Sequence, residues 1–149
     1  MNILFVCTGN TCRSCMAEAI FNNMCSDKNI FAESVGFSVV PNSNTSLNSA
    51  KMVKDKLSLD ISERKAVQLN TQHIEGSDLI LTMTSYIKDI LRESYPSKKE
   101  KIFTLNEYVG VKGDIIDPYG GSIAVYEETF FELKNSIELL INKLKEDRV

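Results

Sequence analysis

The stretch Cys7-Thr8-Gly9-Asn10-Thr11-Cys12-Arg13-Ser14 lies between the apolar run Ile3-Leu4-Phe5-Val6 and a helical segment opening near Cys15, and it limits the chain to few architectures. A continuous apolar run reads as a parallel strand buried on both faces, and a tight turn from it into a helix begins a βαβ unit. At a helix N-terminus several backbone N–H groups lack partners and the macrodipole favours negative charge. A loop wrapped there can hold a phosphate-sized anion. Gly9 is expected to supply the backbone torsions for the wrapping. Inward-pointing N–H groups form an anion nest, and the planar Arg13 guanidinium can grip two oxygens at once. Cys7 then lies at the floor, where the field that attracts the anion also favours a thiolate. A thiolate beneath a bound phosphate is a nucleophile aimed at phosphorus.

The rest of the chain alternates strand-like and helix-like segments. Residues 2–7 form the first strand, and about 14–25 a helix with Met16, Ala19, Ile20 and Met24 on one stripe. Residues 30–35 are a second strand ended by Gly36. The loop 41–46 carries helix-start chemistry and leads to a helix near 46–57 bearing Leu47, Ala50, Val53 and Leu57. Residues 58–77 read as an extended piece and a short helix near 70–76. A third strand spans 78–83, a helix runs to about Ser94 where Tyr95-Pro96 stops it, and 98–101 is a solvated turn. Residues 102–105 supply the fourth strand, whereas 106–121 show little regular pattern, and a connection of that length in a compact domain is usually functional. The last helix, from Ser122 to about Lys145, places Tyr126, Phe130, Leu133, Ile137, Leu140 and Leu144 at spacings of four and three. That rhythm lasts under three heptads, so packing against the sheet is expected rather than a dimeric coil. The expected fold is α/β: an open four-stranded parallel sheet, helices on both faces, right-handed crossovers, and the anion loop between first strand and first helix at a carboxyl edge.

Composition narrows the function. A chain of 149 residues with 43% hydrophobic residues suits one soluble domain over 1–149. A net charge of -3 argues against a general nucleic-acid binder, so affinity for phosphate must be local. The run 3–6 is too short for a signal peptide or a membrane span. Four cysteines at 7, 12, 15 and 25 crowd into the first sixth of the chain, a distribution unsuited to stapling a fold and suited to a reduced, cytoplasmic site.

Asp117, in the irregular stretch, is the candidate proton donor. Pro118 biases it to an extended backbone, and Gly120-Gly121 lets the chain turn into the last helix. Asp114, beside Gly113, reads as a simple turn.

Residues 7–14, together with Asp117-Pro118-Tyr119 and the last helix, resemble the low-molecular-weight protein tyrosine phosphatases over essentially the whole chain. The resemblance implies two steps. Cys7 attacks phosphorus to give a phosphocysteine, Arg13 and the loop amides stabilise the transferring group, and Asp117 protonates the leaving atom and then activates water. It also implies that Thr8, Gly9, Asn10, Thr11, Cys12, Ser14 and Tyr119 form the substrate site. Ser14 directs its hydroxyl at the Cys7 sulfur and doubles as a helix N-cap, and Asn10 holds a strained torsion by side-chain hydrogen bonds. No metal or other cofactor is called for, and the expected partners are phosphorylated proteins met by a monomer. Thr11 and the run 117–122 look most like the bacterial branch containing protein-arginine phosphatases, whereas tyrosine-directed members tend to carry a bulkier apolar residue at that threonine.

Two departures stand out. Cys15 occupies a position where a proline commonly starts the helix, and the stretch 62–66, from which a histidine often buttresses the loop asparagine, here offers Arg64. The one histidine, His73, is expected on the surface. Three other functions fit parts of the pattern. Cys7, Cys12, Cys15 and Cys25 formally match an iron–sulfur spacing, but two of them fall on a helix. Arsenate reduction on this fold needs cysteines beyond Cys25, and a non-catalytic phosphopeptide module would not need Cys7, Arg13 and Asp117 together. A reversible disulfide between Cys7 and Cys12 is a further expectation.

Overall fold

In the computed structural model, which describes residues 1–147, β1 (Asn2–Cys7) lies inside a sheet of order β2-β1-β3-β4. The partners are β2 (Phe31–Gly36), β3 (Leu79–Thr82) and β4 (Ile102–Thr104), and every pairing is parallel. Successive side chains of a strand point to opposite faces, so β1 feeds two cores. Ile3, Phe5 and Cys7 join one cluster and Leu4 and Val6 the other. The first is covered by α1 (Arg13–Met24), α2 (Leu47–Leu57), α5 (Leu105–Val109) and α6 (Ile123–Asp147). The second is covered by α3 (Thr71–Gly76) and α4 (Ser85–Ser94). Helices thus flank both faces, as the alternating pattern implied.

The boundaries lie within a residue or two of expectation apart from two added elements, and one side chain expected in the core is exposed. Residues 98–101 belong to a 3-10 turn, Pro96–Lys101, rather than a bare loop. Residues 106–121 are not wholly irregular, because Thr104 and Glu107 close a capping box that starts α5: the Thr104 hydroxyl accepts from Glu107 N–H at 3.0 Å and the Glu107 carboxylate from Thr104 N–H at 3.1 Å. Leu47 is 88% exposed and does not share the buried stripe of α2, which runs through Ser49, Ala50, Met52 and Val53. As the first helical residue, just after the cleft-lining Ser46, it falls at the open edge of the core.

All six residues of the four-three rhythm in α6 are buried. Fully burying each large side chain contributes about 1.5–3 kcal/mol, which explains why the row is apolar throughout. The helix lies mainly against α1, with α5 and α2 at its flanks, rather than directly on the sheet. Among the described residues no helix is long and apolar enough to cross a membrane.

Three segments meet at the carboxyl end of β1. The strand runs into the 7–14 loop. Met83 N–H, just past β3, donates to Val6 C=O at 2.9 Å, and Ile115 N–H donates to Met83 C=O at 3.0 Å. That stitching carries residues 115–117 back over the loop from beyond β4, to the crevice where an open parallel sheet binds ligands.

Candidate active site

The loop after β1 turns its carbonyls outward. Those of Cys7, Thr8 and Thr11 accept from the N–H groups of Phe37, Ser38 and Ser46 at 2.8–2.9 Å, and that of Cys12 accepts from Met16. Among the described residues no protein acceptor faces the N–H groups of Gly9, Thr11 or Cys12. Alternate peptide groups so arranged make a nest of donors, and α1 begins at Arg13 directly beyond it. The left-handed torsion sits on Asn10, at φ 57°, and not on Gly9. A Cβ on Gly9 would meet only the Thr11 hydroxyl at 3.8 Å, so the expectation that Gly9 supplies the torsion is corrected. Gly36 is the glycine whose size matters. A Cβ there would come within 2.9 Å of Gly9 C and Thr8 O, so only glycine lets β2 pass this close behind the loop.

Cys7 and Arg13 are both buried but open into one cleft of about 510 Å³. Thr8, Gly9, Thr11 and Cys12 of the loop also line it, together with Asp117 and Tyr119 from the segment before α6 and Ser38, Val40, Ser43, Asn44 and Ser46 from the segment between β2 and α2. Asn10 and Ser14, fully buried, do not line it; they stand behind the loop. Ser14 is not the helix cap either. Cys12 occupies that position and makes no side-chain cap bond, while the Ser14 hydroxyl lies 2.8 Å from Cys7 Sγ.

Arg13 is anchored at one end and free at the other. One terminal nitrogen donates to Ile115 C=O at 3.0 Å, the second lies 3.6 Å from the Asp117 carboxylate, and Nε has no partner. A buried guanidinium N–H left unpaired is costly, and an anion in the nest would satisfy it. Asp117 is 52% exposed, and its other oxygen accepts from Tyr119 N–H at 3.0 Å, which fixes the carboxyl at the mouth. The Tyr119 ring is largely in solvent. Asp114 is occupied elsewhere, accepting from the N–H and hydroxyl of Ser85 at the start of α4.

Behind the loop lies a polar network that sequence reasoning found only in part. Asn10 Nδ2 donates to Ser14 Oγ at 2.7 Å and to Ser34 Oγ at 3.0 Å, while its Oδ1 accepts from Arg64 at 2.9 Å and from Val67 N–H at 3.0 Å. Arg64 therefore holds the loop asparagine, as its position in 62–66 suggested. Ser34 and Glu18 complete the network, and nothing in their local sequence marks them. On the far side of the loop Cys12 Sγ meets Ser46 Oγ at 3.5 Å and the Tyr126 hydroxyl at 3.4 Å. Burial and the contact with Cys12 push the Tyr126 phenol up to about 12, so it remains a protonated donor. Burial likewise pushes the Cys15 thiol well above its ordinary range. His73 is half-buried and serves the capping box of α3, accepting from Asn70 N–H at 3.0 Å. Among the described residues no three histidine, cysteine or acidic side chains converge as a metal site, and Cys25 lines a cleft with Ile30 and Ile141 separate from the one that Cys7 and Cys12 line.

A thiol on the floor of an anion nest, in a parallel α/β sheet and facing a carboxyl at the mouth, defines a cysteine-dependent phosphatase. The chain belongs to the low molecular weight phosphotyrosine protein phosphatase family, whose profile matches residues 2–149. It is 38% identical to a protein-arginine-phosphatase of Bacillus subtilis over 99% of both chains. It is 39% identical to the low molecular weight protein-tyrosine-phosphatase PtpB of Staphylococcus haemolyticus, covering 97% of this chain and 98% of that one. A solved mutant of the YwlE arginine phosphatase with a phosphorylated active site serine superposes with a TM-score of 0.92 at 37% identity, covering 99% of this chain and 98% of that chain.

Proposed function

We propose that residues 1–149 act as one phosphatase domain that hydrolyses phosphorylated protein side chains through a phosphocysteine on Cys7, with phosphoarginine preferred. The unpartnered Arg13 Nε, in a residue that lines the same cleft as Cys7 beyond a loop of outward-turned carbonyls, is the observation that carries the reading. In the first step Cys7 Sγ bonds to phosphorus, the bond from phosphorus to the leaving nitrogen or oxygen breaks, and Asp117 delivers a proton to that atom. In the second, Asp117 takes a proton from water, the hydroxide attacks phosphorus, the S–P bond breaks and inorganic phosphate leaves. Arg13 and the loop amides hold the equatorial oxygens throughout, which is where transition-state charge accumulates.

The preference rests on Thr11. Thr11 lines the cleft, where a hydroxyl at the rim can accept from a guanidine N–H or orient the hydrolytic water. Thr11→Ile is expected to lower phosphoarginine turnover by about 10-fold or more, since a lost hydrogen bond of about 1–2 kcal/mol reaches that size. Turnover of phosphotyrosine should hold or rise. Steady-state kinetics on matched peptides test this, and parallel changes on both substrates would contradict it. Phosphotyrosine is the second reading, favoured by Val40 and Tyr119, two exposed side chains of the cleft lining that offer apolar surface to an aryl ring.

Redox control belongs to the same proposal. Cys7 and Cys12 open into one cleft and neither is in a disulfide. Peroxide should join them and a thiol reductant restore activity, whereas Cys12→Ser should recover poorly; equal recovery would point away from Cys12. Four free thiols suit a protein working in the reducing cytoplasm, and the same proposal has it act there on protein substrates as a monomer. A dimeric mass by light scattering would contradict the monomer.

A further inference from the structure

We infer that Leu47 and Ile116 extend the cleft into an uncharged apolar rim, shared with Val40 and Tyr119, that selects phosphorylated protein segments whose flanking residues are apolar. The inference rests on the reading of the cleft as a protein phosphatase site. Each of the four either lines the cleft or adjoins a residue that does: Val40 and Tyr119 line it, Leu47 follows Ser46, and Ile116 precedes Asp117. All four are 70% or more exposed and belong to neither core. Asn48 Nδ2 donates to Gly121 C=O at 3.4 Å, which brings the start of α2 against the segment that follows Asp117. Apolar side chains exposed singly are ordinary, whereas several gathered around a cleft mark a contact surface. Leu47 does nothing for its own helix either, since the first turn of a helix favours acidic residues and α2 has none there.

Charge is missing from the same segments. Residues 34–50 carry no charged side chain and residues 115–126 carry only Asp117, in a chain of which 25% is charged. The charged groups at the ends of these segments are engaged elsewhere: Lys51 pairs with Asp55, Glu127 with Lys56, and Asp114 accepts from Ser85. Depth decides what lies on this surface. Cys7 is buried, so a phosphoryl group has to enter the cleft while the main chain that carries it stays outside, and the neighbouring side chains of the substrate come to rest on the rim. There an apolar flank removes its own surface and that of Leu47 and Ile116 from water. A charged flank would lose hydration with no opposite charge to meet, because Arg13 and Asp117 are taken up by the transferring group.

Matched phosphoarginine peptides carrying leucine, serine, glutamate or lysine on both sides of the phosphorylated residue test this, with free phosphoarginine as the substrate without flanks. A set of phosphotyrosine peptides with the same flanks, and phosphotyrosine itself, runs in parallel. The parent should prefer leucine flanks to serine by about three- to tenfold in kcat/KM, the difference lying in KM. Leu47→Glu, an exchange at an exposed helix start that tolerates it, should weaken that preference and favour lysine flanks over glutamate by roughly threefold or more. Leu47→Lys should reverse the order of the two charged flanks. Both variants should turn over the free phosphorylated amino acid within about twofold of the parent, because a single exposed charge is screened by salt. Ile116→Ser should weaken the leucine preference without creating a preference between charges. A parent indifferent to flanks, or a flank order that Leu47→Glu and Leu47→Lys leave unchanged, would overturn the inference. So would a parent that is dimeric by light scattering and becomes monomeric with Leu47→Glu, since the rim would then be a face between copies. Turnover of the free phosphorylated amino acid without flank preference removes the rim alone, whereas a parent inactive on every substrate removes the phosphatase reading and the rim with it.

Discussion

Replacing Cys7 by serine is expected to abolish turnover, by on the order of 10⁴-fold or more, while inorganic phosphate still binds. The two halves of this result come from separate parts of the site. Binding is the work of the N–H groups of Gly9, Thr11 and Cys12, the Arg13 guanidinium and the start of α1, which the exchange leaves in place. Turnover needs an attacking atom that ionises readily and leaves readily, and a serine oxygen under the Ser14 hydroxyl does neither well. Isothermal titration with phosphate and an assay on a phosphoarginine peptide separate the two. A Cys7→Ser protein that turns over at the parental rate would end the account, and one that neither turns over nor binds phosphate would mean that the sulfur, not the nest, holds the anion.

Asp117→Asn should slow the reaction by about 10²–10⁴-fold, the usual worth of general acid–base catalysis. The carboxyl stands at the mouth, half-exposed, held by Tyr119 N–H and lying 3.6 Å from the Arg13 nitrogen that would face the transferring group. An amide can keep those contacts but cannot give up a proton. The loss should be largest for a leaving group that departs poorly without protonation and smallest for an acidic phenol. Rates across a series of aryl phosphates test this directly. A uniform loss across the series would assign Asp117 to binding, and full activity on the poorest leaving group would remove it from the mechanism.

The nucleophile loop was legible in the sequence because its chemistry is local: strand, thiol, donors, guanidinium and helix follow one another within twelve residues. The sheet was legible for a similar reason, since strands buried on both faces read as unbroken apolar runs. What escaped notice was brought in from a distance. Ser34 and Glu18 have no local pattern to mark them, and they matter because β2 and α1 place them around Arg64, 46 positions from Glu18. Gly36 reads as an ordinary strand end, yet its missing side chain is what lets the loop sit against β2. Tyr126 reads as one more apolar residue of α6, whereas its hydroxyl reaches Cys12 across 114 positions. Two misreadings were local. Gly9 does not carry the left-handed torsion of the loop; it sits on Asn10, where the family resemblance implied a strained torsion held by side-chain hydrogen bonds, and four such bonds hold it. The Thr104-x-x-Glu107 capping box is a readable helix start, set inside a stretch that otherwise lacks periodicity.

The central claim is that phosphate passes through sulfur, and a phosphoenzyme caught in flight tests it most directly. The parent protein is mixed with excess phosphoarginine peptide, stopped within one turnover by rapid denaturing quench, and the Cys7 peptide is weighed. A single phosphoryl group on Cys7 is expected, rising and decaying at rates that account for turnover. With an acidic aryl phosphate it should accumulate further in Asp117→Asn, where water lacks its base. Undiminished turnover with no phosphoryl group on Cys7, or with the group on another residue, would contradict the account.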